Sequence, residues 1–146
     1  MTLTVTRDPS QPLRHTVHIR QHDIVVDGSV AEGGNDDGPS PHDLYDAALA
    51  ACKALTVVWY ARRKGLPLVD VSVAMERDAS AERQGVYKLA ASLALGGDLS
   101  AAQREELLAV AARCPIHKLM TAVTTELSTT LVAAATAPAP TPILEN

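Results

Sequence analysis

The sequence predicts an α+β fold: one long, almost wholly apolar helix between two sets of antiparallel strands. Three observations carry this expectation. Apolar and polar residues alternate near the N-terminus and again over residues 69–95, the period of half-buried strands. Residues 47–61 are apolar nearly throughout, as in a helix buried on several sides. The predicted elements run β-β-α-β-β-α-α-β, an order that suits segregated antiparallel sheets and not a doubly wound parallel one.

Leu3 and Val5 alternate with Thr2, Thr4 and Thr6, and Val17 and Ile19 alternate with Thr16, His18 and Arg20. Gln21-His22 is expected to turn the chain into Ile24-Val25-Val26, which Asp27-Gly28 ends. Gly33 to Pro39 reads as a loop, and its Asp36 and Asp37 would repel a phosphate. Ser40 as N-cap, Pro41 at the first helical position and Asp43 in the first turn predict a helix to Lys64. Gly65 and Pro67 stop it, after Arg62, Arg63 and Lys64 have placed cations at its negative end. Val69, Val71, Val73 and Met75 form one strand pattern and Tyr87, Leu89, Ala91, Leu93 and Leu95 a second, so residues 69–95 predict a hairpin. Ser100 caps a helix reaching about Arg113, Cys114-Pro115 opens a short one, and Glu126 to Val132 predicts a last strand. Residues 1–133 are expected to form a single domain, and the Pro/Ala-rich tail 134–146 to be disordered.

Composition removes several functions. Thirteen basic against seventeen acidic residues give a net charge of −4 without a basic stripe, so nucleic acid and anionic membranes lack their usual electrostatic attraction. The apolar run is interrupted by Lys53 and is shorter than the ~20 residues of a membrane span. The N-terminus lacks a signal-peptide pattern and two cysteines are too few for a disulfide framework, so a soluble cytoplasmic protein is expected. Phenylalanine is absent and aromatics are 3%, leaving a core of Ala, Leu and Val thin in large side chains. A long helix of such residues gains burial from a second copy, which hints at oligomerisation.

Two cysteines are the candidates for chemistry. Cys52 lies mid-helix on a face with Tyr45, Ala48, Leu49, Leu55, Thr56 and Trp59, where the ordinary role of a thiol is that of a small hydrophobe. Cys114 precedes Pro115, with Arg113 and Lys118 nearby, and a helix N-terminus and cations both favour a thiolate. Residue chemistry alone therefore nominates Cys114 as the more activated thiol. His42 and His117 are better placed for thiol chemistry than His15, His18 and His22. His15 and His18 point to opposite strand faces, and no metal site is expected.

Taken together, Gly33-Gly34-Asn35-Asp36-Asp37-Gly38-Pro39-Ser40-Pro41-His42-Asp43-Leu44, Ala47-Ala48-Leu49-Ala50-Ala51-Cys52 and Cys114-Pro115-Ile116-His117 resemble the OsmC/Ohr family. That family comprises osmotically inducible protein C and the organic hydroperoxide resistance proteins. Arg62 to Leu68 is similar to an uncharacterised OsmC-like branch, and the resemblance extends over roughly residues 14–132. It implies an intertwined homodimer, with two long central helices packed against antiparallel β-sheets and active sites at the subunit interface. It also implies that Cys52 is the peroxidatic thiol and Cys114 the resolving one, which reverses the ranking from residue chemistry. The family's activating Glu falls at His42, so Asp43, next along, is the substitute, and of Arg14 and Arg20, the two candidates for the interface Arg, Arg20 is preferred. The implied activity is reduction of organic hydroperoxides through a Cys52–Cys114 disulfide that an external dithiol re-reduces, with no metal or organic cofactor. The rival is a dimer without peroxidase activity that binds an apolar small ligand and uses its cysteines as a redox switch, a reading favoured by His42.

Overall fold

Ser40 begins the helix that organises the molecule. Its hydroxyl accepts a hydrogen bond from the Asp43 N–H at 3.2 Å, and the Asp43 carboxylate accepts one from the Ser40 N–H at 2.8 Å. With Pro41 at the first position this reciprocal cap starts α1, Pro41–Lys64. At the other end Gly65 adopts φ 69°, the left-handed conformation that closes a helix, and its N–H reaches back to the Ala61 and Arg62 carbonyls. Both ends stand where the sequence puts them.

The structure is a computed structural model and describes residues 1–133; the tail expected to be disordered lies outside the described residues. Before α1 run three strands, β1 (Leu3–Arg7), β2 (His15–Ile19) and β3 (His22–Val26). They form an antiparallel meander in the order β1-β2-β3, with Val5 opposite Val17 and Val17 opposite Ile24. After α1 come β4 (Asp70–Asp78) and β5 (Lys88–Gly96), a separate antiparallel hairpin with Val73 opposite Leu93. Two helices follow, α2 (Ala101–Ala111), capped by Ser100, and α3 (Pro115–Ala122). The α+β class and the antiparallel sheets agree with the sequence reading.

The core lies between α1, α2 and the β4–β5 hairpin. Val57, Ala61, Leu99, Leu107 and Ala111 are buried there, with Val71, Leu93 and Leu95 packed against them. One stripe of α1 is buried, comprising Asp46, Leu49, Lys53, Val57 and Ala61, each three or four residues from the last. On other faces of α1, Tyr45, Leu55 and Trp59 stand exposed, Leu55 at 70% and Trp59 at 60%. No helix among the described residues is long and apolar enough to cross a membrane.

Three expectations need correction. The β2–β3 turn is Arg20-Gln21 and not Gln21-His22, because Ile19 pairs directly with His22. Arg20 thereby leaves the strand and takes φ 57°. α2 stops at Ala111, short of Arg113. Residues 126–132 are not a strand in the structure; a strand exists only through its hydrogen-bonded neighbour, and none of the described strands pairs with this segment.

Candidate active site

The loop before α3 brings the two cysteines together. Cys114 occupies the N-cap of α3 with φ −61° and ψ 152°, the extended conformation that a residue before proline prefers. Pro115 has no N–H, so the first donor of α3 is Ile116, whose N–H points at Cys52 Sγ, 3.4 Å away. Cys52 is half-buried, and Cys114 is completely buried.

That burial works against the activation of Cys114 expected from residue chemistry. Exclusion of water pushes the Cys114 thiol above its ordinary pKa, and the neighbouring Cys52 thiol adds to the rise. The His117 N–H and the Lys53 ammonium pull the other way without reversing it. A capping position favours a thiolate only where water or a close cation can also reach the sulfur. At Cys114 desolvation wins, and the thiol is neutral at pH 7.

One helical turn into α1 the chemistry is different. Arg77, on β4, donates through Nε to Asp46 at 2.5 Å and through a terminal nitrogen to Asp43 at 2.6 Å. Tyr87, immediately before β5, donates its hydroxyl to the other Asp46 oxygen at 2.9 Å. The Arg77 guanidinium, then the Ser40 hydroxyl and N–H, hold the Asp43 carboxyl down at about 2. Burial pushes the Tyr87 phenol up, and the adjacent Asp46 carboxylate adds to this. Asp46 is buried, and both of its carboxyl oxygens accept hydrogen bonds there.

The remaining sequence-nominated residues lie apart. His42 is exposed and its Nε2 lies 3.1 Å from Glu82, with its ring tilted against Tyr87. Arg20 is exposed at the tip of the β2–β3 hairpin, and among the described residues no hydrogen bond or ion pair joins it to Asp43 or Cys52. Asp43 has Arg77 as its arginine partner instead. Of the five residues, the structure brings Cys52 and Cys114 together and leaves Asp43, His42 and Arg20 elsewhere.

Sequence reasoning missed Arg77, Asp46, Tyr87 and Lys53. Arg77 falls within a run of charged residues, Glu76-Arg77-Asp78, that reads as an ordinary solvated face. Only the packing of β4 against α1 sets it opposite Asp43 and Asp46. Lys53 did leave a signal: it is the single charged residue in the apolar run 47–61. It is 6% exposed, and its ammonium donates to the Ala111 carbonyl at 3.0 Å. It lines a cavity of about 610 Å³ between α1, the β4–β5 hairpin and α2–α3.

Comparison with known proteins follows this architecture. No curated protein is significantly similar in sequence. Among solved structures, an OsmC-like protein from Mycoplasma pneumoniae superposes with a TM-score of 0.68 at 19% identity, covering 84% of this chain and 87% of that one. An organic hydroperoxide resistance protein OsmC from Legionella pneumophila gives 0.63 at 22% identity, covering 84% and 90%. The organic hydroperoxide resistance protein OhrB of Bacillus subtilis gives 0.55 at 20% identity, covering 83% and 90%. At such identities the likeness is one of fold. The model of the family described as OsmC-like protein matches residues 33–128, a stretch that holds α1, the β4–β5 hairpin and both cysteines. The chain belongs to the OsmC-like protein family.

Proposed function

We propose that this chain is a cytoplasmic, thiol-dependent peroxidase of organic hydroperoxides that works as an intertwined homodimer. The observation that carries the reading is the meeting of Cys52 and Cys114, distant in sequence, at the junction of α1 and α3. In this reading the Cys52 thiolate attacks the distal peroxide oxygen. The O–O bond breaks, the alkoxide leaves and takes up a proton as alcohol, and Cys52 becomes a sulfenic acid. The neutral Cys114 thiol then condenses with it, forming the S–S bond and releasing water. An external dithiol reduces that disulfide by exchange and is itself oxidised.

Two further observations support the reading. Tyr45, Leu55 and Trp59 leave an apolar face of α1 exposed, as a helix does when a second copy covers it. Arg20 holds a positive φ at the first position of a two-residue turn, a place usually given to glycine. Backbone strain under a long cation suits a guanidinium that the hairpin presents to a neighbouring subunit's Cys52. Asp43, already held by Arg77, and His42, beside Glu82, would then frame the entrance. Organic hydroperoxide resistance is also the description of the Legionella pneumophila and Bacillus subtilis proteins of the same fold.

The Asp43–Arg77 pair also favours a second reading. A carboxylate that has its own arginine does not need to orient Arg20, and a dimer binding an apolar small ligand would keep the cysteines only as a redox switch. Steady-state consumption of cumene hydroperoxide with dithiothreitol as reductant separates the two. Turnover that Cys52→Ser abolishes is the expected result. A wild-type rate equal to that of dithiothreitol alone overturns the peroxidase.

A further inference from the structure

Lys53 is a buried cation that the thiol steps leave unused. It lies on the inward stripe of α1, is 6% exposed, and donates from its ammonium to the Ala111 carbonyl at 3.0 Å. Ala111 ends α2, whose last turn holds no basic residue of its own. Lys53 thus brings from α1 the cation that the negative end of a helix favours. That role occupies one of three N–H donors and leaves the charge without an anion. Lys64 and Lys88 have carboxylate partners, and among the described residues Lys53 has none. A buried ammonium in that state is costly. The missing anion is one that the reaction itself makes. Ala111 stands just ahead of Cys114 in sequence and Cys52 directly precedes Lys53, so the ammonium sits where α1 meets the α2–α3 junction and its thiols.

We propose that Lys53 is the counter-cation of the Cys114 thiolate, so that its charge, beyond its hydrogen bond to α2, sets how fast Cys114 attacks Cys52. The proposal rests on the thiol-dependent reading for the step it serves. Cys114 is fully buried, and a neutral thiol gives up its proton before its sulfur attacks. Burial opposes that ionisation and the Cys52 thiol adds to the opposition, while the His117 N–H and the Lys53 ammonium favour it. These groups reach Cys114 from α1 and α3. Among the described residues, neither α2 nor the β4–β5 hairpin sets a charged side chain against it. Arg113, next to it in sequence, points back along α2 and donates to the Ala109 carbonyl at 3.3 Å. Lys53 is therefore the one cation, among the described residues, whose charge acts on this sulfur.

The aryl disulfide dithiobisnitrobenzoate tests this on the reduced full chain without a peroxide, so the result does not depend on hydroperoxide turnover. The Cys52 thiolate attacks one sulfur of the reagent, forming a mixed disulfide and expelling one thionitrobenzoate. The Cys114 thiolate then attacks the Cys52 sulfur, forming the Cys52–Cys114 bond and expelling the second, and both thiol protons pass to the buffer. Stopped-flow absorbance reads the second release, which Cys114→Ser should lack. Lys53→Met is expected to slow that release about threefold at about pH 8. Loss of an adjacent cation raises a thiol's pKa by about one pH unit and cuts the thiolate about tenfold, of which the more basic sulfur recovers about threefold in nucleophilicity. The deficit should shrink as pH rises and both proteins ionise. Lys53→Gln, which keeps a donor for Ala111 but no charge, should behave as Lys53→Met, and Lys53→Arg as wild type. Equal rates in Lys53→Met and wild type, a deficit constant at every pH, or Lys53→Gln matching wild type each overturns the proposal. So does a wild type that releases a single thionitrobenzoate. Should Lys53→Met fail to fold, the Gln and Arg variants decide without it.

Discussion

Around Cys52 and Cys114 the chain sets a half-buried thiol beside a fully buried one, whereas near the start of the same helix it gathers Asp43, Asp46, Arg77 and Tyr87 into one hydrogen-bonded cluster. The two regions share α1 and handle charge in opposite ways. At the helix start two carboxyl groups share one guanidinium and a phenol hydroxyl, so each polar group has a partner where it stands. At the thiols the balance is set by burial, with Lys53 the cation whose charge acts on Cys114. Asp43 lies about 13 Å of helix rise before Cys52, so it influences that sulfur only through an intervening side chain. The difference teaches that the capped start of α1 is built to fix the β4–β5 hairpin onto the helix. Reactivity at the thiols then depends on what is brought to them.

The sharpest way to break this division is to oxidise each thiol alone. With one equivalent of cumene hydroperoxide, wild type should lose both thiols. Cys114→Ser should stop with a dimedone-reactive sulfenic acid on Cys52, and Cys52→Ser should leave Cys114 unmodified over the same time, because its sulfur is buried and protonated. Intact mass reads all three. Sulfenate on Cys114 in Cys52→Ser would reverse the assignment of roles.

A smaller effect is expected at the charged cluster. Asp46→Ala removes the acceptor of both Arg77 Nε and the Tyr87 hydroxyl and should cost about 2 kcal/mol. For a chain of this size that lowers Tm by about 6 °C. Single-turnover oxidation of Cys52 should be unchanged in the folded variant. A slowed reaction at full stability would show that the two regions act as one.

The smallest effect lies in acid. Asp43 is depressed from 3.8 to about 2, so its contribution to stability is complete above pH 4 and is lost as pH falls from about 4 towards 2. Asp43→Asn should therefore show a shallower fall in stability than wild type across that window, measured by urea unfolding at each pH. Parallel curves for the two proteins would show that the Arg77 pair adds nothing in solution.

Much of the fold is legible because its signals are local. Ser40-Pro41 and Gly65 mark both ends of α1, and alternation over 69–95 marks the β4–β5 hairpin. The segment 126–132 misleads for the opposite reason: alternation states which faces a strand would have, and not whether another strand is there to pair with it. The cysteines are legible through their neighbours, Ala50-Ala51 and Pro115. Arg77 is not, since its role depends on the packing of β4 onto α1 and its sequence neighbours are themselves charged. Burial sets the limit at Cys114 as well: a cap and nearby cations can be read from sequence, but the depth of its thiol cannot.

Pro115 has a consequence in the currency of concentration. Its ring forbids Cys114 a helical backbone, and its missing N–H directs the first amide of α3 to the sulfur of Cys52. The two thiols are thus held as neighbours before any oxidant arrives, with little search left to either. For a pair so held the effective concentration of one group at the other far exceeds that of any dissolved thiol. Whatever oxidises Cys52, the first thiol it meets is the one carried in its own chain.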